Sequence, residues 1–231
     1  VRPYPVMMSL VARRVIVIGG GRVALRKVRS LLESGALVTV VSPELHEELR
    51  ELATDESIEW FPEAFDEAHL DRHPDLALVF GTTNRREVNV RIHAAAVARK
   101  LPCNIADVPD LCTFIVPAVI TQGDLIIAVS TGGSSPALAR RIREDLEKQY
   151  GPEYAAMTRM MGDLRKLVLG MGGSSDENRR IFKEIVESDL LAALRENDRD
   201  RALEILKTIL PEALNAVEAM DNPQDLPGSR V

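Results

Sequence analysis

Residues 19–24 read Gly-Gly-Gly-Arg-Val-Ala, a G-x-G-x-x-A spacing suited to cradling a diphosphate. Gly19 permits a tight turn, and Gly21 lets backbone N–H groups approach phosphate oxygens. Ala24 lets the following helix pack close to the preceding strand. The helix N-terminus adds partial positive charge, and Arg22, beside Val23 in the loop, can reach a phosphate. The spacing alone is weak evidence, and the plainer alternative is a glycine turn that only closes a crossover. A dinucleotide site usually has an acid at the end of the second strand for the adenosine ribose. Here that place reads Val41-Ser42-Pro43, with Glu44 two residues late. Ser42 offers a weaker hydrogen bond, and no Arg follows at once to hold a 2′-phosphate. The residues themselves leave NAD against NADP open.

The elements that must position this loop are legible. Residues 14–18 form a β-branched run expected of a strand buried on both faces. A helix is predicted over 23–34, with Ala24, Val28, Leu31 and Leu32 on one face, Arg22, Arg26 and Lys27 mostly off it, and Gly35 at a left-handed cap. Strands are predicted at 37–41, 58–61, 76–80 and 102–105, with helices over 43–53 and 87–100. This alternation implies βαβ crossovers and a parallel sheet. After residue 112 the rhythm changes. A hairpin is expected from 114–120 and 125–130 around 121–124. A helix follows from Pro136, N-capped by Ser135, with Leu138, Ile142 and Leu146 as its apolar face. From Gly151 only helices are expected, with a frayed tail beyond Met220. The fold class is therefore α/β: a Rossmann-type nucleotide domain over 1–112, a hairpin-plus-helix region over 113–150, and an all-helical part over 151–231.

Among 231 residues, 45% are hydrophobic and 28% charged, which excludes a disordered or collagen-like chain. The net charge of −6, without a clustered basic face, argues against a nucleic-acid partner. No apolar run approaches the roughly 18 residues of a membrane span, and no signal-peptide leader is evident. Cys103 and Cys112, nine residues apart, suit a reduced cytoplasmic setting rather than a disulfide framework. His46, His69, His73 and His93 share no metal-ligand spacing with them, so no resident metal is expected.

Four segments, residues 14–27, 80–89, 103–117 and 128–143, together with Tyr4-Pro5 ahead of the first strand, carry a resemblance to a known family. The chain resembles the precorrin-2 dehydrogenases, the dehydrogenase–chelatase part of siroheme synthases. The likeness covers about the first 150 residues well and the helical remainder in outline. It implies NAD-dependent oxidation of the tetrapyrrole precorrin-2 to sirohydrochlorin. Some family members also insert ferrous iron, which would be a substrate rather than a cofactor. It also implies a homodimer formed through the hairpin region; with no following segment of methyltransferase size, methylation is expected from a separate protein if the chain is complete.

The same resemblance puts the family's key acid on Asp107, in Ala106-Asp107-Val108-Pro109. The residue lies just past the carboxyl end of a parallel strand, where ligands bind in open α/β sheets. An aspartate of ordinary pKa, about 3.9, is a weak base at neutral pH, and burial beside the macrocycle would strengthen it. The plainer alternative is a turn cap before Pro109. Asp110 is expected to be solvated.

By the resemblance, cofactor contacts fall on Pro43, Glu44, Thr82 and Thr83. Substrate contacts are expected at Asn104, at Thr131 in the turn before the Pro136 helix, and at Arg140, with Arg141 and Arg143 as further counter-charges. For Thr131 the alternative is a capping hydroxyl, and for the arginines a solvated helix face. Asn89 is expected to cap, His93 to be structural, and Met157, Met160 and Met161 to fill a core. A reading from another class is a non-catalytic NAD-sensing module, which needs the glycine loop but no base at the neighbouring strand end.

Overall fold

The computed structural model describes residues 3–170 and 172–210. Five strands, β1 (Arg14–Ile18), β2 (Leu37–Val41), β3 (Glu59–Phe61), β4 (Leu76–Gly81) and β5 (Cys103–Ile105), form a parallel sheet in the order β3-β2-β1-β4-β5. Alternate side chains feed two cores, as the period of two requires. Val15, Val17, Val38, Val40 and Phe80 pack with Ala24, Leu25, Val28 and Leu31 of α1 (Arg22–Glu33) and Leu49 of α2 (Glu47–Thr54). Ile16, Ile18, Val41, Val79 and Ile105 pack with Ile92, Ala95 and Ala96 of α3 (Arg86–Ala98). The strand order reverses between β1 and β4, which opens a crevice at the carboxyl ends of those strands.

Two boundaries differ from the sequence pattern for local reasons. The second helix starts at Glu47 rather than at 43, because residues 43–46 are tied down as a loop. The Ser42 hydroxyl donates to the Glu44 carbonyl (2.7 Å), and the His46 N–H donates to the Gly20 carbonyl (2.7 Å). The hairpin is β6 (Ala118–Gln122) and β7 (Leu125–Val129), without residues 114–117. Phe114 stays with the first sheet, its ring edge-on to Phe80 and its carbonyl bound by the Asn104 amide.

The chain divides into two compact units between Val116 and Pro117. The second holds the hairpin, α4 (Pro136–Gln149), α5 (Glu153–Gly170), α6 (Ser175–Glu187), α7 (Leu190–Glu196) and α8 (Arg199–Ile209). Ser135 caps α4 as expected, accepting from the Leu138 N–H, with Pro136 in the first turn. Among the described residues the expected apolar face of that helix is only partly covered. Leu138 and Ile142 are 52% and 38% exposed, and the buried residue is Ala139. The helical core is built from Met157, Leu164, Val168, Ile185, Leu190 and Leu206, with Met160 and Met161 against it, so these methionines are core filler. The tail beyond Met220 lies outside the described residues. Among the described residues no helix is long and apolar enough to cross a membrane.

Glu153 is buried at the start of α5 and accepts two hydrogen bonds from the Arg195 guanidinium (2.9 and 2.7 Å). Burial pushes its carboxyl up. Backbone hydrogen bonds and Arg195 outweigh that and hold it below the usual glutamate value. A depressed folded-state pKa gives stability that is present above the unfolded value and lost as pH falls through the folded one. Thermal melting at neutral pH and at acid pH below the glutamate range therefore separates two proteins. The wild type loses more stability across that interval than Glu153→Gln; equal losses would contradict this assignment.

Candidate active site

Four backbone hydrogen bonds step across the carboxyl edge of the sheet, each joining a loop to the strand beside it. Ser42 N–H donates to the Phe61 carbonyl (3.1 Å), Gly19 N–H to Val41 (2.9 Å), Thr82 N–H to Ile18 (2.8 Å) and Ala106 N–H to Gly81 (2.8 Å). The glycine turn, the Thr82–Thr83 loop and the Asp107 turn therefore leave the sheet side by side. At the ordinary strand spacing, Gly19 and Asp107, separated by β4, stand on the order of 10 Å apart across the rim.

The glycine loop is built for a diphosphate. Gly19 has φ +116°, a conformation L side chains rarely adopt, and a Cβ there would meet Thr82 Oγ1 at 2.6 Å. Gly21, the N-cap of α1, has nothing within 4 Å of where a Cβ would stand. No side chain caps α1 and its first turn holds no acid, so the N–H groups of Arg22, Val23 and Ala24 are left without helical partners. Arg22 is exposed and makes no ion pair among the described residues. Ala24 is fully buried against the sheet, as the motif requires. The arrangement fits a dinucleotide diphosphate at the positive end of a helix.

The neighbouring hydroxyls are committed within the protein. Thr82 Oγ1 donates to the Ile18 carbonyl (3.0 Å), which props the glycine turn. Thr83 Oγ1 donates to Asn89 Oδ1 (2.8 Å), and the buried Asn89 returns a bond to the Thr83 carbonyl (3.0 Å). Asn89 thus ties the Thr83 loop to α3, but it is not the cap expected of it: the N-cap is Arg85, and no side chain caps the helix. The Ser42 hydroxyl donates to the Glu44 carbonyl, which leaves its oxygen only as an acceptor for the ribose contact suggested for it. Pro43 and Glu44 are exposed beside the loop, with the Glu44 carbonyl against Gly20.

Asp107 sits at φ +60° directly after β5 and is exposed at the rim, not buried, in the chain alone. Its carboxylate makes no hydrogen bond or ion pair among the described residues, so it is not a turn cap. Asp and Asn tolerate this left-handed conformation better than most side chains. The segment after it is pinned to β5. Cys112 Sγ accepts from the Ile105 N–H (3.2 Å), and Cys103 N–H donates to Thr113 Oγ1 (2.8 Å). Burial pushes the Cys103 thiol up to about 12 and raises that of Cys112, so both cysteines remain thiols that hold the turn. His93 Nδ1 lies 3.0 Å from the Leu111 carbonyl, the structural role expected of it. Asp110 is exposed.

Asn104 lies within β5, three residues before Asp107, with its amide nitrogen spent on the Phe114 carbonyl (3.0 Å) and Cys112 Sγ (3.6 Å). Thr131 and Arg140 belong to the other unit. Thr131 Oγ1 accepts from Ser135 N–H and donates to the Ser135 carbonyl, both at 3.0 Å, so its hydroxyl serves the turn before α4. Arg140, Arg141 and Arg143 pair with Glu144, Asp145 and Glu147 one turn on. These are surface pairs, which displaces their reading as free counter-charges.

Sequence spacing missed two residues. Gly20, an unconstrained position of the motif, could not carry a Cβ without colliding with the Glu44 carbonyl, and Ser42 Oγ would stand at 2.8 Å. Lys27, placed mostly off the buried face of its helix, is half-buried with Nζ 5.5 Å from the centre of the Phe80 ring. Among the described residues no three His, Cys, Asp or Glu side chains gather as a metal site.

The two glycines separate fold from ligand. Gly20→Ala is expected to lower stability by about 1–3 kcal/mol through overpacking, read by thermal melting. Gly21→Ala is expected to melt like wild type but bind NAD roughly tenfold more weakly, through a phosphate held off the N–H groups. Wild-type NAD affinity in Gly21→Ala would contradict the cradle.

Known proteins align with this architecture. A family model for NAD(P)-binding domains matches residues 6–118, and one for the central region of siroheme biosynthesis proteins matches 122–149. Siroheme synthase 1 of Aeromonas salmonicida is 37% identical over 92% of this chain and 45% of its own length. The siroheme synthase of Methylobacillus flagellatus is 40% identical over 79% of this chain and 38% of its own. The chain thus spans less than half the length of these relatives. Among solved structures, SirC, a precorrin-2 dehydrogenase, superposes with TM-score 0.74 at 27% identity, covering 90% of this chain and 98% of that one. The chain thus joins an NAD(P)-binding sheet unit to the central region of siroheme biosynthesis proteins, and along its length it is similar to siroheme synthases and to a precorrin-2 dehydrogenase.

Proposed function

We propose that the chain catalyses NAD-dependent oxidation of precorrin-2 to sirohydrochlorin. The observation that carries this reading is the sharing of one sheet edge by the diphosphate cradle and the unpartnered carboxylate of Asp107. NAD supplies the hydride acceptor: precorrin-2 gives up a hydride from a ring carbon and one proton, and NAD⁺ becomes NADH. The chain's own residues do the rest. Gly19 and Gly21 shape the cradle, the N–H groups of Arg22, Val23 and Ala24 donate to phosphate, and the Arg22 guanidinium neutralises it. Pro43 and Glu44 border the adenosine end, where the negative charge of Glu44 favours a free ribose hydroxyl over a 2′-phosphate. Thr82 and Thr83 shape the floor of the crevice through their backbone. Asp107 takes the proton. Asn104 fixes the ground beside it. Ferrous iron insertion, implied by the resemblance for some members, enters no step of this reaction.

The exposed apolar residues Val119 and Ile126 of the hairpin and Leu138 and Ile142 of α4 support a homodimer through this region. In that reading residues 1–112 bind the nucleotide and 113–150 dimerise. Both cysteines are free, which suits a reducing cytoplasmic compartment.

Asp107→Asn keeps a residue suited to the left-handed turn and removes the base. It is expected to bind NAD normally and to form NADH from precorrin-2 about a hundredfold more slowly, or worse. Near-normal turnover by this variant would remove Asp107 as the base. NAD binding without turnover by the wild type would favour the sensing module.

A further inference from the structure

Lys27 stands in the second turn of α1, five residues beyond Arg22, and its side chain is half-buried. Its ammonium lies 5.5 Å from the centre of the Phe80 ring, at a cation–π distance near the carboxyl end of β4. Among the described residues it has no hydrogen bond and no ion pair. Arg29 on the same helix, by contrast, pairs with Glu48. The chargeable groups whose fields reach Lys27 are Arg26, Cys112 and Asp107. Burial, with Arg26 acting in the same direction, pulls its ammonium below the usual lysine value. Three cations, Arg22, Arg26 and Lys27, therefore crowd the positive end of a helix that has no acid in its first turn. That arrangement is unfavourable in the empty protein and favourable once an anion arrives. Asp107, close enough for its field to matter, does not close on Lys27 as an ion pair, so each charge is left open to a ligand.

We propose that Lys27 is a substrate-binding residue, whose ammonium takes a carboxylate of the tetrapyrrole and holds the macrocycle against Asp107. The proposal rests on the function read above. The cofactor diphosphate is the other anion at this rim, but it belongs to the first turn. Lys27 lies about 7–8 Å further along the helix axis, and its ammonium is over Phe80. A peripheral carboxylate of the substrate, arriving beside Asp107, is the anion that fits.

The test is steady-state oxidation of precorrin-2 by the full chain as wild type, Lys27→Met and Lys27→Arg, with KM measured separately for precorrin-2 and for NAD. Methionine keeps an apolar stem over Phe80, and arginine keeps the charge. Lys27→Met is expected to raise the KM for precorrin-2 at least about tenfold, with the KM for NAD within about twofold. Lys27→Arg is expected to bring the precorrin-2 KM back to within roughly threefold of wild type. An unchanged precorrin-2 KM in Lys27→Met, or a rise confined to NAD, overturns the proposal. Absorbance titration with sirohydrochlorin gives a second readout that needs no turnover: weaker binding by Lys27→Met, restored in Lys27→Arg, supports the proposal, and equal binding overturns it. Failure of the wild type to oxidise precorrin-2 falls on the function instead, and the titration still decides the role of Lys27.

Discussion

The backbone ladder across the carboxyl edge of the sheet is the constraint on which the rest depends. Each of its four hydrogen bonds ties the first residue of a loop to the last carbonyl of a neighbouring strand. Loops are ordinarily the mobile parts of a fold, yet here the glycine turn and the Asp107 turn inherit the rigidity of the sheet. A hydride and a proton leaving one substrate need their acceptors placed together, and binding geometry of that kind supplies much of an enzyme's advantage. The reversal of strand order between β1 and β4 opens the space, and the ladder fixes what borders it.

Charge supplies the second layer. The N-terminus of α1 carries no side-chain cap, no early acid and three basic residues within its first two turns. By comparison, α6 begins with a reciprocal capping box from Ser174 and Glu177 and with Asp176 in its first turn. The first arrangement sacrifices helix stability for anion affinity; the second does the reverse. An acidic chain with this local concentration of positive charge suits polyanionic small ligands better than an extended nucleic acid.

Much of this was legible in the residues. The runs at 14–18 and 37–41 became strands with those bounds, because a parallel strand buried on both faces must be continuously apolar. Gly35 takes φ +74°, as its place after the helix required. What stayed hidden depends on contacts distant in sequence. Helical spacing could not show that Phe80 comes under the flank of α1 that carries Lys27. The glycine motif treats Gly20 as variable, whereas the Glu44 carbonyl packs where its side chain would be. The spacing of Leu138 and Ile142 marks an apolar stripe, but periodicity cannot tell whether its own chain covers it, and here both residues stand exposed. The hydroxyls of Thr82, Thr83 and Thr131 stand in the expected loops, yet all three are spent on the backbone or on Asn89, so residue type and place did not reveal their partners.

A structure of the full chain with NAD and sirohydrochlorin bound tests the central claim most directly. The diphosphate is expected over Gly21 at the start of α1, with the nicotinamide ring and the Asp107 carboxylate in contact with the same macrocycle. A macrocycle seated away from Asp107, or a diphosphate lying off the glycine turn, would contradict it.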